Sequence, residues 1–490
     1  MSKKGLFILV MFVVSVTDLK AQSADDVLRY SLEYPSCDAL SLVVPATSQA
    51  TGFGTFQDNP ASAALFEKSF FSFDLSNRYV DETGRYLGNS STFSDNQISI
   101  GDLGFVYKVP TTRGSLVVGA GYSQTTDYNR ALSGSGRNSQ TTITDFYNST
   151  PDDSLFFAAF DAYAIDFATT DSSYSETASI FRIGFNQYPG INQDFELTEQ
   201  GQLGEYSAFL ASEVLENLSL GASIGYLSGT YSYRRTFLES DRQNDYNAVF
   251  IDSNGDGQPD TDIDQISSRD RIDSDIEAFS ARLGLVYQPT EQINIGASYQ
   301  FPSRLYIDEQ YNTTITSTFD NGRQFQDDAP GRFSYKITRP SQLKVGFTIK
   351  DLSRLTLSGS AETIFYTNAR IDFEELELNP LENDINGTVR NSFKDVVNFR
   401  AGAEYQLNEQ FTPRLGYAYY PSPQKGLDSD RQFISGGFSA ELTKGLLFDF
   451  GLQYSFWDDE NALYSTPSAT EVAREEVTRL NVMVGIRMTL

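Results

Sequence analysis

The sequence predicts a transmembrane antiparallel β-barrel of about 14 strands, with an N-terminal lumenal hatch and long extracellular loops. Three observations carry that expectation. Apolar and polar residues alternate with period 2 along most of the chain. Short and long connections take turns between the alternating stretches. No apolar run of about 18 residues, the length a helical span needs, follows the leader.

The leader reads MSKKGLFILVMFVVSVTDLKAQ. Lys3 and Lys4 form a basic start, Gly5 to Val16 an apolar core, and Leu19-Lys20-Ala21 a cleavage site. Residues 1–21 are therefore expected to be a signal peptide that takes the chain out of the cytoplasm. No Cys follows the cleavage site directly, so a lipid anchor is not expected.

Residues 22–67 precede the first strand and form the expected hatch or plug. Ser23 is a helix N-cap for SADDVLRYS. The stretch FGTFQDNPASAALF, Phe53 to Phe66, is too punctuated for a long helix. An even strand count puts both termini on the short-turn side of a barrel. Phe53, Phe56, Leu65 and Phe66 are costly to leave in water, and Gly52, Gly54, Ala61 and Ala63 allow close packing, so this segment is expected to fold into the lumen.

The barrel is expected over 68–490. Its strands read at about 68–79, 95–109, 114–126, 202–214, 217–238, 267–289, 291–312, 331–350, 353–373, 393–407, 410–421, 431–443, 445–459 and 475–490. At the end of the chain, Leu480, Val482, Val484, Ile486, Met488 and Leu490 share one face, opposite Arg479, Asn481, Gly485, Arg487 and Thr489. A one-residue slip would invert every such face, so register is strongly specified. Tight turns such as PTTRG at Pro110–Gly114 and LTKG at Leu442–Gly445 alternate with long polar segments at about 80–94, 127–201, 239–266, 313–330, 374–392, 422–430 and 460–474. Membrane barrels show that asymmetry, whereas a soluble sandwich has no reason for it. In the second strand, Ile98 and Ile100 lie on one parity and Leu103, Phe105 and Tyr107 on the other, which places a bulge or kink at Gly101, Asp102 and Gly104.

Two long segments carry candidate sites. The loop at 127–201 is aromatic-rich and partly helical, and Phe146, Phe156, Phe157, Phe160 and Tyr163 either bind an apolar ligand or cap the barrel mouth. The acidic loop at 239–266 holds DSNGDGQPDTDID. Asp252, Asn254, Asp256, Gln258 and Asp260 sit at calcium-loop positions 1, 3, 5, 7 and 9, with Gly257 at the turn. Position 12 is Ile263, and no flanking helices are expected, so this is not an EF-hand. A calcium loop closed by Asp262 or Asp264 and a solvated acidic turn are the two readings. The run FEELELNPLEND from Phe373 reads as a solvated loop face.

Composition excludes several functions. There is no His in 490 residues, which removes Ser-His-Asp and Cys-His catalysis and His-based zinc sites. The single Cys37 supports no internal disulfide. A formal charge of −28 opposes nucleic-acid binding. LSGSGRNS, around Ser133–Ser139, lacks the setting and the basic residue of a phosphate loop. No residue set supports an enzyme, and no cofactor beyond a structural calcium is expected.

DDVLRYS at Asp25–Ser31, NPAS at Asn59–Ser62 and FFSFDLSNR as first strand, followed by about 14 strands to the end, are similar to the FadL-type outer-membrane transporters of long-chain fatty acids and other hydrophobic compounds. The family's run of glycines before Asn-Pro-Ala is thinned here to ATGFGTFQD, and the chain ends in Leu490 where many barrels end in an aromatic. The resemblance implies the outer membrane of a Gram-negative bacterium and a hatch containing Phe53, Gly54, Phe56, Asn59, Pro60 and Ala61. It also implies capture of an apolar, fatty-acid-like ligand at the extracellular loops, lumenal binding, and lateral release into lipid at a wall kink. The alternative is a FadL-like barrel that serves as a non-transporting subunit or shuttle of an outer-membrane secretion or assembly complex. Expected partners are thus a hydrophobic small molecule, outer-membrane lipid and, in the alternative, other outer-membrane proteins.

Overall fold

The computed structural model describes all residues except 1–22, 33–37, 152, 169–175, 186, 248–251, 255 and 376–377. The leader 1–21 and Cys37 lie outside the described residues. The chain enters through helix α1 (Ala24–Ser31), helix α2 (Thr55–Asp58) and a 3-10 turn (Pro60–Leu65). Strands β1 (Phe70–Tyr86), β2 (Asn89–Val109), β3 (Leu116–Asp127) and β4 (Arg130–Asn138) follow. The large loop holds α3 (Ile143–Asn148), α4 (Ser154–Asp161) and a small hairpin of β5 (Ile165–Phe167) and β6 (Thr177–Ser179). Then come β7 (Ile191–Leu215), β8 (Leu218–Ser240), β9 (Ile263–Thr290), β10 (Ile293–Gln300), β11 (Arg304–Phe319), β12 (Gln324–Thr338), β13 (Gln342–Leu352), β14 (Leu355–Ile364) and β15 (Arg370–Phe373). Helix α5 (Asn379–Ser392) separates these from β16 (Val396–Tyr405), β17 (Phe411–Tyr420), β18 (Arg431–Thr443), β19 (Leu446–Ser465) and β20 (Thr470–Thr489).

Eighteen of these strands, all but β5 and β6, form one antiparallel sheet that closes on itself where Phe70 of β1 faces Thr489 of β20. Four wall strands are broken midway, so β3 with β4, β10 with β11, β12 with β13 and β14 with β15 each count once, and the wall has fourteen strands among the described residues. Pro302 and Pro340 occupy two of the breaks, where a residue without an N–H cannot extend a ladder. The alternation reads outward: Phe71, Leu75 and Tyr79, then Phe279, Leu283 and Tyr287, then Leu480, Val484 and Met488 are exposed on the outer face. These nine-residue stretches span roughly 20 Å along the barrel axis at the usual rise and tilt, which matches a hydrocarbon belt.

The strands run well past that belt at the loop end, and this corrects the expected connections. Segments 80–94, 313–330 and 460–474 are not loops. Tyr86 faces Asn89 across a two-residue turn, with Leu87 at φ +47° and Gly88 at φ +86°. The other two close at 320–323 and 466–469. The overhanging strands are polar on their outer face, so no apolar alternation marks them. The large loop likewise contracts to 139–190 and the acidic loop to 241–262. FEELELNPLEND is also corrected: α5 begins within it, with Pro380 in its first turn, and buries Leu381, Ile385 and Val389.

The segment 38–66 fills the tube at belt level. Phe53, Phe56, Asn59, Pro60 and Ala61 are fully or almost fully buried there. Its backbone lies directly on a floor of wall glycines that face each other across strands: Gly104 with Gly121, Gly221 with Gly284, Gly296 with Gly346, Gly402 with Gly416, and Gly437 with Gly451. A Cβ at Gly104 would strike the Phe53 ring, at Gly284 the Asn59 Oδ1, at Gly296 the Thr47 carbonyl and at Gly416 the Val43 carbonyl. Glycine thus lines the wall where the hatch meets it.

Polar groups lock the same contact. Asn59 caps the 3-10 turn by accepting from the Ala61 N–H at 3.0 Å, and its Nδ2 donates to the Thr47 carbonyl at 2.7 Å and to the wall carbonyl of Leu285 at 3.0 Å. Arg487 donates to the Thr51 carbonyl at 2.7 Å, Asn294 to that of Ser48 at 3.0 Å and Ser298 to that of Asp58 at 2.5 Å. Asp58 pairs with Lys344 at 3.3 Å and Arg400 at 3.2 Å, and Arg400 also donates to the Ser41 carbonyl. Burial opposes the Asp58 charge, but Lys344 and Arg400 outweigh it and hold the carboxyl below its ordinary value.

Replacing Asn59 by Ala removes all three of its bonds: the Ala61 N–H loses its acceptor, the Leu285 carbonyl loses this donor, and the Thr47 carbonyl keeps only Ser62, at 3.0 Å. A loss of about 2–4 kcal/mol is expected, read as a lower thermal midpoint together with faster amide exchange over residues 44–62.

Candidate functional site

Above the hatch lies a cavity of about 890 Å³, within the usual size for a small-molecule site. It is walled by both ends of the chain as well as its middle. α1 reaches up into the lumen, its N-terminus capped by Ser23, and packs against α5. Tyr30 of α1 forms an edge-to-face triangle with Tyr128 and Tyr231, with ring centroids 5.5 to 5.8 Å apart. Leu28, Phe146, Leu155, Leu381 and Ile385 supply an apolar side, and Tyr231, Tyr233, Tyr311 and Trp457 present aromatic surface.

The remaining lining is densely charged. Carboxylates come from Asp25, Asp26, Glu82, Asp127, Asp153, Glu199, Asp270, Asp384, Asp459, Glu460 and Glu475, and guanidiniums from Arg29, Arg130, Arg235, Arg271, Arg431 and Arg479. Arg130 is the hub. It forks onto Glu475, and stands 3.5 Å from Glu199 and 3.7 Å from Glu82. Arg29 pairs with Asp26 at 2.5 Å and with Glu199 at 3.5 Å, and Arg235 with Asp270 at 2.7 Å. Burial, followed by the neighbouring Asp26, pushes the Asp25 carboxyl above its ordinary value. The arrangement can bind an amphipathic solute, with an apolar body on one side and a polar head on the other. Among the described residues, nothing here activates a nucleophile.

A seam in the wall runs beside this cavity. The register of β1 on β2 shifts at Gly101, where Asp74 faces Asp102 but Leu75 faces Ile100. Below that point β2 pairs with β3, from Asp102 opposite Ser123 to Val109 opposite Leu116. Above it, residues 89–101 of β2 have no ladder partner besides β1 among the described residues, because β4 pairs with β7 alone. Side chains bridge the seam instead: Ser99 donates to Gln124 at 2.8 Å, Ser91 to the Ser133 carbonyl at 2.5 Å and Asn89 to the Ser135 carbonyl at 2.9 Å. Thr126, Asp127, Tyr128 and Arg130, on the inner side of the seam, also line the cavity.

The sequence-derived candidates fall in different places. Gly101 is the residue skipped by the register, Asp102 points inward and is fully buried, and Gly104 lies under Phe53. Gly54 donates its N–H to Asp38 at 2.7 Å. Phe146 reaches the cavity. Phe156, Phe160 and Tyr163 instead pack into the cap formed by α3 and α4, and Phe157, 55% exposed, sits on its outer surface. The cap is pinned to the wall by Glu239, which accepts from Thr142 and from the Ile143 N–H at 2.9 Å.

Asp252, Asn254, Asp256, Gln258 and Asp260 lie together in the β8–β9 connection. Their carboxylates are turned onto the loop itself: Asp252 accepts from the Gly257 N–H at 2.6 Å, and Asp260 from the Ser253 N–H at 2.7 Å. The carbonyl of Asp262 accepts from the Asp320 N–H at 3.1 Å. Among the described residues no group of three or more Asp, Glu, Cys or His is arranged to hold a metal ion.

Sequence reasoning missed Arg29, Glu82, Arg130, Glu199 and Glu475. Glu82, Arg130, Glu199 and Glu475 fall in stretches that read as loops or at their edges, and their meeting depends on pairing strands hundreds of residues apart.

The fold is that of known lumenal channels. Over 94% of this chain and 99% of the other, it superposes on the crystal structure of a Pseudomonas aeruginosa FadL homologue, at 12% identity and a TM-score of 0.57. Against the Pseudomonas putida toluene transporter TodX the shares are 93% and 99%, the identity 14% and the TM-score 0.51. No curated protein sequence matches the chain. The model of the outer membrane protein transport family (OMPP1/FadL/TodX) matches residues 202–483, more than half of the chain. With a closed fourteen-strand wall around an N-terminal hatch, the chain belongs to this family of Gram-negative outer-membrane transport proteins.

Proposed function

We propose that this barrel takes up hydrophobic small molecules passively, binds them in the cavity above the hatch, and releases them sideways through the β2–β3 seam. They are fatty-acid-like in joining an apolar body to a polar head. The carrying observation is the seam itself: above Gly101 the β2 edge loses its backbone ladder to β3, and cavity-lining residues 126–130 stand behind it. Downward passage meets the hatch, held to the wall by glycine contact and by side chains from many strands. Burial of apolar surface, at about 25 cal/mol per Å², is enough to drive entry without an energy source. On leaving through the seam, a ligand meets the lipid belt at Ile98 and Ile100, both exposed on the outer face.

The second reading, a non-transporting subunit or shuttle of an outer-membrane secretion or assembly complex, draws on the same fixity of the hatch and on the long polar overhang of the wall. A covalent tie across the seam separates the two. The pair Ser91→Cys and Ser133→Cys, whose native hydroxyls meet at 3.0 Å across the seam, is placed to form a disulfide there. Uptake of a radiolabelled hydrophobic compound by cells is expected to stop when the pair is oxidised and to return on reduction, at equal surface expression. Unchanged uptake in the oxidised state would exclude lateral release, and no uptake by the wild type would favour the subunit reading.

The connection from Asp252 to Asp262 is proposed to hold a structural calcium, with the carboxylates swung off the loop's own amides onto the ion. Calcium at millimolar levels is then expected to raise the thermal midpoint by a few degrees, and Asp256→Asn to remove the effect. A melt identical in calcium and in chelator leaves only the acidic turn.

A further inference from the structure

We infer that the cavity selects a cationic amphiphile: a small molecule with an apolar body and an amine or quaternary ammonium head. This rests on the cavity being the ligand site. Eleven carboxylates line it against six guanidiniums, and no lysine contributes. The guanidiniums are also largely engaged. Arg130 serves three glutamates, Arg29 bridges Asp26 and Glu199, Arg235 holds Asp270, and Arg271 holds Asp273 at 2.7 Å. Arg431 and Arg479 lie over the Trp457 ring at 5.3 and 5.2 Å.

An anionic head would therefore enter a field already dominated by carboxylates and compete for occupied guanidiniums, whereas a cation relieves the excess. Two independent features point the same way. Glu82 and Glu199 are 1% and 3% exposed, yet Glu82 Oε2 and Glu199 Oε1 make no hydrogen bond although both residues line the cavity. Both oxygens face the Arg130 guanidinium, at 3.7 and 3.5 Å, so they are charge-paired yet lack a hydrogen-bond donor, which an amine head supplies. Tyr233 stands beside this acidic side with an aromatic face, the surface that attracts alkylammonium groups, whereas the Tyr231 ring is already covered by Arg29 at 5.1 Å.

Calorimetric titration of the purified full chain in nonionic detergent tests this with three probes of similar size: benzyltrimethylammonium, phenylacetate and benzyl alcohol. The ammonium is expected to bind about tenfold or more tightly than phenylacetate, a difference near 1.4 kcal/mol. Its affinity is expected to fall several-fold in Glu199→Gln, with benzyl alcohol unaffected. If that variant does not fold, the ratio of the two charged probes on the wild type decides. Phenylacetate binding equal to or tighter than the ammonium would overturn the head-group assignment while leaving lumenal binding intact. Failure of all three to bind would remove the cavity as a ligand site, and the selectivity with it.

Discussion

Close contact between hatch backbone and wall backbone governs this molecule. Ten glycines in five cross-strand pairs let the segment 38–66 lie close against the barrel, with hatch backbone at Gly221, Gly296, Gly416 and Gly451 and hatch side chains such as Phe53 and Val44 at others. At that distance backbone carbonyls of the hatch come within reach of wall donors such as Asn294 and Arg487, and the Asn59 amide reaches a wall carbonyl. Dense packing of this kind has few intermediate positions, because a shift of a fraction of an ångström loses dispersion contact and breaks buried hydrogen bonds together. The hatch thus closes the tube beneath the cavity.

That floor explains where the rest of the structure is weak and where it is strong. The charge network of Asp58, Lys344 and Arg400 lies on the upper side of the hatch, and α1 rises past it to share the lumen with α5. At the loop end, α3 and α4 cap the tube on an aromatic core that includes Tyr86, Phe195 and Phe237. Between a fixed floor and a pinned cap, the wall itself supplies the discontinuity, where β2 passes outside β4 with side chains in place of a ladder. The seam runs from the polar overhang, where water satisfies an open strand edge, down to the exposed Ile98 and Ile100 at the border of the lipid belt.

Much of this was legible in the sequence, and the limits have physical causes. Period-2 alternation marks a strand only where its two faces meet different solvents. Leu480 to Met488 and Phe279 to Tyr287 declare themselves because one face meets lipid. Residues 80–94 and 460–474 face water or polar neighbours on the outside and read as loops, and Leu87-Gly88, which closes the first of them at positive φ, is not a pair that announces a hairpin. The phase change at Gly101 was visible because it inverted an alternation that lipid enforces. The glycine pairs could not be seen, because each needs a register between strands far apart in sequence. The cavity was hidden for the same reason: Glu82, Arg130, Glu199 and Glu475 meet only once β1, β4, β7 and β20 are brought together. Aromatics of the large loop were easy to notice, yet burial decides their role, and most of them hold the cap.

Amide hydrogen exchange of the hatch, followed while a hydrophobic compound is being transported, measures the fixed floor directly. Residues 38–66 are expected to exchange as slowly as the belt strands on either side, in the presence and absence of the compound. Exchange at the rate of the surface loops, or protection that collapses during transport, would contradict a fixed floor and make the hatch a moving gate.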